Sequence, residues 1–158
     1  MKYIFSDEII FNAKPDAVPY NYRISYKIAQ VCLIISICCR HSGCSLIKLH
    51  MVSIGLSTKH KQDELSAFIE NRMKGFVVRF DPAVNRAIKY AIADGLIIQQ
   101  KNILYKLSEK GKLYVEKINE LEDLMIDEKV FLNEISYRLT EDKIKNLMSS
   151  WRYFNVEY

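Results

Sequence analysis

Five side chains able to ligate a soft metal or act as nucleophile and base, Cys38, Cys39, His41, Cys44 and His50, fall within thirteen residues of this 158-residue chain. Their spacing argues against a metal: there is no C-x2-C pair, and adjacent cysteines on a helix point about 100° apart. Core thiols and helix-end histidines are the simpler reading. A Cys–His nucleophile finds no third orienting group and no oxyanion motif nearby. The carboxylate pairs Asp63-Glu64 and Glu122-Asp123 sit among Lys and Asn on amphipathic segments, as solvated faces do. There is also no G-x-G-x-x-G or G-x-x-x-x-G-K-[ST] run to cradle a nucleotide. The expectation is a protein that is not an enzyme, with no catalytic residue, metal or cofactor.

The chemistry that remains is charge. The chain carries 23 Lys and Arg against 19 Asp and Glu. The net charge is +3 over residues 1–58, +2 over 59–94, +3 over 95–117 and −4 over 118–158. A basic body therefore precedes an acidic end, and a basic body can approach phosphate. On the segment after Asp81-Pro82, helical spacing puts Val84, Ala87, Ile88 and Ala91 on one side and Asn85, Arg86, Lys89 and Ala93 on the other. With Arg79, Lys101 and Lys106 nearby, Asn85, Arg86 and Lys89 form the candidate DNA-binding set. Their affinity is expected to be independent of sequence and to fall steeply with salt.

These residues need elements to hold them. Residues 1–19, with Pro15 and Pro19, read as an extended arm. From Tyr20 to about Arg40 the apolar positions Ile24, Ile28, Val31, Ile35 and Cys38 or Cys39 recur at helical spacing, so a first helix apolar nearly all round at its centre is expected at the hub of the core. Its apolar run, Ile28 to Cys39, is too short for a membrane span of about 20 residues. A second helix runs from Leu46 to near Gly55, and a third from about Thr58 to Lys74, closed by Gly75 with Met73 on its buried face. Val77 to Phe80 is expected as a short strand. Asp81-Pro82 starts a helix that stops at Gly95. Leu96–Gln99 and Ile103–Leu107 form a hairpin around Gln100-Lys101-Asn102, and Ser108-Glu109 caps the next helix. Beyond it Tyr114, Ile118, Leu121, Met125, Leu132, Ile135 and Leu139 keep a three–four spacing, with Asp127-Glu128 as a kink or a new start. A last helix from about Thr140 to Met148 leads into an aromatic end.

Helix, tight hairpin and capped helix are the second half of a winged helix. The expected fold is mainly α: an extended arm (1–19), a winged-helix domain with a short β-hairpin wing (20–118), and a C-terminal helical extension with an aromatic tail (119–158). Tyr3, Phe5, Ile9 and Phe11 of the arm and Trp151, Tyr153 and Phe154 of the tail are too apolar to leave free, and are the candidate partner-binding residues. The start MKYIFSDEIIF lacks an uninterrupted apolar region of the secretory kind, and the cysteines suit a reducing compartment, so a cytoplasmic location is expected.

Five stretches together resemble a known family: Tyr22-Arg-Ile-Ser-Tyr-Lys-Ile-Ala-Gln-Val, Ser45-Leu-Ile-Lys-Leu-His50, Phe80-Asp-Pro-Ala-Val-Asn-Arg-Ala-Ile, Asp94-Gly-Leu-Ile and Tyr105-Lys-Leu-Ser-Glu-Lys-Gly-Lys. They are similar to the middle components of bacterial ABC-three-component defence systems, of which Lamassu-type antiphage systems are an example. The resemblance covers residues 20–118. It implies a small, non-enzymatic, kleisin-like accessory subunit bound to an SMC/Rad50-like ABC ATPase and to an effector that is often a nuclease; the basic residues add double-stranded DNA as a further expected contact, and the short apolar run leaves no membrane expected. The competing expectations are a homodimeric winged-helix transcription regulator and a small toxin-neutralising adaptor without DNA contact.

Overall fold

The computed structural model describes residues 23–154, with side chains to Trp151. The arm positions Tyr3, Phe5, Ile9 and Phe11 lie outside the described residues, as do the side chains of Tyr153 and Phe154. The centre of the described body is α1 (Ile24–Cys38), in which Val31, Cys32, Leu33 and Ile34 are consecutive and all fully buried. Four successive positions point to all sides of a helix, so neighbours must surround it. They do: α2 (Leu46–Gly55), α4 (Pro82–Ala93), β2 (Tyr105–Leu107), α5 (Glu109–Glu120) and α6 (Ile126–Ile135) all pack against α1. The remaining elements are α3 (Lys59–Ile69) against α2, β1 (Ile97–Gln99) against α4, and α7 (Glu141–Phe154). The protein is thus mainly helical, with one small antiparallel sheet among the described residues.

In that sheet Ile97 stands opposite Leu107, Ile98 opposite Lys106 and Gln99 opposite Tyr105. The segment between α1 and α2 adds a single bridge, with Cys44 and Tyr105 exchanging both backbone hydrogen bonds at 2.8 Å. Gln100 Nε2 donates to Ser42 O at 3.0 Å, fastening the hairpin to the same turn. The hairpin loop places Ile103 at φ 63°, a left-handed conformation that a β-branched residue resists.

Local signals account for most helix ends. Ser45, Thr58, Asp81 and Ser108 each accept a backbone N–H at the start of α2, α3, α4 and α5. Helix α4 closes with Gly95 at φ 76°: Leu96 N–H reaches Ala91 O at 2.8 Å and Gly95 N–H reaches Ile92 O at 3.0 Å, a Schellman pair. Helix α5 can lie close to the hairpin because Gly111 has no Cβ; one there would overlap the Leu96 carbonyl oxygen.

Three expectations are corrected, and one left open is decided. Helix α3 ends at Ile69 and not near Lys74, because Asn71 at φ 60° takes the left-handed position and Arg72 N–H closes on Ala67 O at 2.8 Å, leaving Met73 exposed. Residues 77–80 are irregular rather than a strand, with Phe76 buried beside Phe68 while Val77 and Phe80 are exposed. Of the two readings of Asp127-Glu128, a new helix start is the one observed: α5 ends at Glu120, Leu121 is exposed, and Met125 at φ 53° turns the chain into α6. Finally, the last helix runs on to Phe154, so Trp151 belongs to its apolar face with Ile144, Leu147 and Met148 and packs against the core. Helices α6 and α7 contribute Phe131, Leu132, Ile135, Ile144 and Leu147 to the same core as α1.

Two substitutions probe the hairpin–α5 junction. Gly111→Ala pushes a methyl into Leu96 O and lowers stability by about 2 kcal/mol. Ile103→Gly releases the left-handed strain and raises stability by about 1 kcal/mol. Urea denaturation of the two variants beside the parent measures both.

Candidate functional site

Helix α4 carries the candidate residues and is held from its first turn. Asp81 Oδ1 accepts from Ala83 N–H at 2.8 Å, and Pro82 occupies the first helical position. Val84, Ala87, Ile88 and Ala91 are buried, as the spacing predicts. Arg86 and Lys89 are exposed on the outer side, as are Arg79 before the cap, Lys101 at the hairpin tip and Lys106 on β2. Among the described residues none of these five cations is in an ion pair, whereas Lys59, Lys61, Arg72, Lys112 and Arg138 are.

Asn85 departs from the outward position that helical spacing assigns it. It is half-buried, and its Oδ1 lies 3.0 Å from His50 Nε2. The other imidazole nitrogen, Nδ1, accepts the Asp81 backbone N–H at 3.2 Å. An acceptor at Nδ1 carries no proton, so the hydrogen sits on Nε2 and is donated to Asn85. The Phe80 ring meets the imidazole edge-on with centroids 4.8 Å apart. His50 is fully buried. Its pKa is held below the ordinary histidine value chiefly by burial, with the Asn85 hydrogen bond and the Asp81 charge opposing and Lys27 assisting.

Two of the sequence motifs therefore meet at one point. His50 closes Ser45-Leu-Ile-Lys-Leu-His50, and Phe80, Asp81 and Asn85 come from Phe80-Asp-Pro-Ala-Val-Asn85. Lys27 of α1 joins them, its Nζ 3.6 Å from Asp81 Oδ2 and 3.4 Å from Ser53 Oγ. Ser53 Oγ donates to Gln30 Oε1 at 2.8 Å, Gln30 Nε2 to Tyr26 Oη at 3.4 Å, and Tyr26 Oη to Glu128 Oε1 at 2.9 Å. A continuous polar chain thus runs from α6 through α1 and α2 to α4. Periodicity could not reveal it, because each member reads alone as a stray polar residue on an apolar face.

The cysteines do other work. All four are free and buried. Burial pushes the Cys32 thiol up to about 12, and burial with the neighbouring Cys39 pushes Cys38 to about 12 against the pull of Lys48. Cys44 is raised as well, again chiefly by burial. Such thiols stay protonated at neutral pH, and Cys38 Sγ donates to Leu132 O. His41 is exposed at the α1–α2 turn, away from the buried His50.

Lys106 sits in a place the sequence does not disclose. With Ile98 opposite, it lines a cleft of about 670 Å³ together with Arg40, His41, Lys112 and Tyr137. The Arg40 guanidinium lies over the Tyr137 ring, 5.2 Å from its centroid. These residues come from the α1–α2 turn, the hairpin, α5 and the α6–α7 turn, so only the fold assembles them. Among the described residues no helix is long and apolar enough to cross a membrane.

The His50 geometry sets a pH dependence. Because the folded-state pKa is lowered, the unfolded chain takes up the proton first. The stability from this site is complete above the unfolded value of about 6.5 and is eroded as pH falls below it. His50→Gln, which cannot titrate, loses about 1–3 kcal/mol at pH 7.5 and shows a shallower fall in stability from pH 7.5 to 5.5 than the parent. His41 and His60 remain in both proteins, so the difference in slope, read by urea denaturation at each pH, isolates His50. Comparison with protein-family models, with curated proteins and with solved structures finds no match to this chain.

Proposed function

We propose that the chain is a non-enzymatic winged-helix connector of an antiphage defence complex. It links an SMC/Rad50-like ABC ATPase to an effector nuclease and rests its basic side on double-stranded DNA without reading sequence. The observation that carries the DNA contact is the set of exposed cations Arg86 and Lys89 on α4, Arg79 before it and Lys101 and Lys106 on the hairpin after it, none of them in an ion pair among the described residues. A cation already neutralised by a carboxylate has less to gain from a phosphate; these five are available. The winged-helix reading draws on the element order. A bridging segment at Cys44 precedes α2, and α4 feeds directly into a two-stranded hairpin followed by a capped helix. The link to ATPase and nuclease draws on the resemblance of residues 20–118, with Tyr3, Phe5, Ile9, Phe11, Tyr153 and Phe154 as the partner-binding ends; Trp151 packs against the core and is no longer among them.

The DNA contact is tested by fluorescence anisotropy on random-sequence duplexes. Affinity falls steeply with salt, and replacing Arg86, Lys89 and Lys101 by Ala reduces the slope of log K against log salt by about 1 for each phosphate no longer neutralised, with Tm unchanged. A flat salt response excludes the contact, and tight binding to one palindromic site in place of random DNA identifies the homodimeric regulator instead. Co-purification with the products of adjacent genes tests the complex; a monomer that captures neither ATPase nor nuclease overturns it.

A further inference from the structure

The α5–α6 corner combines exposed apolar side chains with unpaired negative charge. Leu121, Ile126 and Val130 are 58%, 52% and 54% exposed, and Leu124 is exposed between them in the chain. Ile126 and Val130 lie one turn apart on α6, so they form a ridge. Around them Glu116, Glu120, Glu122, Asp123 and Asp127 are exposed, and none is in an ion pair among the described residues. Residues 116–130 hold six carboxylates against two cations, the exposed Lys117 and Lys129. Lys129 is turned inward: its Nζ donates to Ile118 O at 2.8 Å and Leu121 O at 2.9 Å, capping the end of α5. The corner is therefore preformed, and Met125 bears the cost of a left-handed turn there at φ 53°. No polar group caps the start of α6 in its place.

We infer that this corner docks a basic amphipathic helix of a partner protein. Apolar residues at one-turn spacing suit the ridge of such a helix, and its flanking Lys or Arg meet the acidic rim. A second copy of this chain fits poorly. Corner against corner would oppose two acidic surfaces. Corner against the basic, apolar outer side of α4 would be a heterologous contact, which propagates into rings or filaments. The partner's source rests on the connector reading, which makes it the ATPase or the nuclease; the surface itself does not.

The probe is a fluorescent synthetic peptide of about 18 residues, with Leu at i, i+3, i+4 and i+7 flanked by Lys, and a control in which every Lys is Glu. The full chain binds the Lys peptide, more weakly by about tenfold at high salt, and does not bind the Glu peptide. Leu121→Ser with Ile126→Ser and Val130→Ser reduces affinity about tenfold or more with unchanged Tm, since these side chains are exposed. Glu122→Lys with Asp123→Lys and Asp127→Lys abolishes the salt dependence. Equal binding of the two peptides, or binding untouched by both variants, overturns the inference. So does sedimentation showing a wild-type dimer that the serine variant dissolves, because a second copy then covers the corner. A chain that takes the peptide at this corner yet co-purifies with neither ATPase nor nuclease keeps the surface and sinks the complex. A complex that forms equally well with wild type and both corner variants does the reverse.

Discussion

A buried imidazole with both nitrogens occupied fixes the relation between the two halves of this fold. His50 comes from α2, yet it accepts from the Asp81 backbone at the start of α4 and donates to Asn85 one turn on. Neither bond can be exchanged for water, because the ring is fully buried. The N-terminus of α4 can then sit in one place only, since any rotation or slide leaves a buried donor or acceptor unmatched. The charge that accompanies this lock is also answered: Lys27 is buried on α1 and reaches Asp81 and Ser53. Among the described residues, no buried side-chain nitrogen or oxygen lacks a partner. An apolar core would supply the same burial, but it would tolerate several helix positions where a matched polar chain tolerates one.

Once α4 is placed, the following elements have little freedom. Its far end closes through the Gly95 turn, and Lys110 Nζ reaches back to Asp94 O at 2.6 Å. The Leu96 carbonyl, next in the chain, accepts from Ser108 N–H at 3.0 Å, so the start of α5 is pinned to the end of α4. Gly111 lets α5 approach that same carbonyl. Cys44 and Gln100 hold the hairpin to the α1–α2 turn from the other side. The cations on α4 and the hairpin consequently stand on a surface whose geometry is set by backbone hydrogen bonds, not by flexible side chains alone.

Features written in local chemistry are legible from the residues. The all-round apolar centre of α1, the Asp81-Pro82 start, the Gly95 stop, the hairpin and the Ser108 cap each depend on a few adjacent residues, and each is found. What stays hidden depends on tertiary choice. Asn71 outranks Gly75 as the end of α3 because the cap requires a left-handed residue at one position, and Asn can supply it. The stretch 77–80 has strand-like composition but no pairing partner. Helix α7 outruns its expected end at Met148 because Trp151 is the next apolar step after Ile144, Leu147 and Met148, and the core is there to receive it. For the site, Arg86, Lys89 and Lys101 stand exposed where spacing puts them, whereas Asn85 turns toward His50, thirty-five residues away in sequence. The cleft that gathers Arg40, Lys106 and Lys112 has no linear signature at all.

The polar chain has a further mechanical meaning. It begins at Glu128 on α6, whose exposed side carries the acidic corner, and ends at Asn85 on α4, whose exposed side carries the cations. Each intermediate link, Tyr26, Gln30, Ser53, Lys27, Asp81 and His50, joins a different pair of positions on α1, α2 and the start of α4. Coupling between two surfaces requires an element with two alternative arrangements, and a fully matched, partly buried network opposes a second one. The matched network therefore favours one relative placement of the two faces. Under the proposed connector function, a partner docked at the acidic corner is carried at a set bearing to DNA on the basic face, and rearrangement on binding falls to the partners.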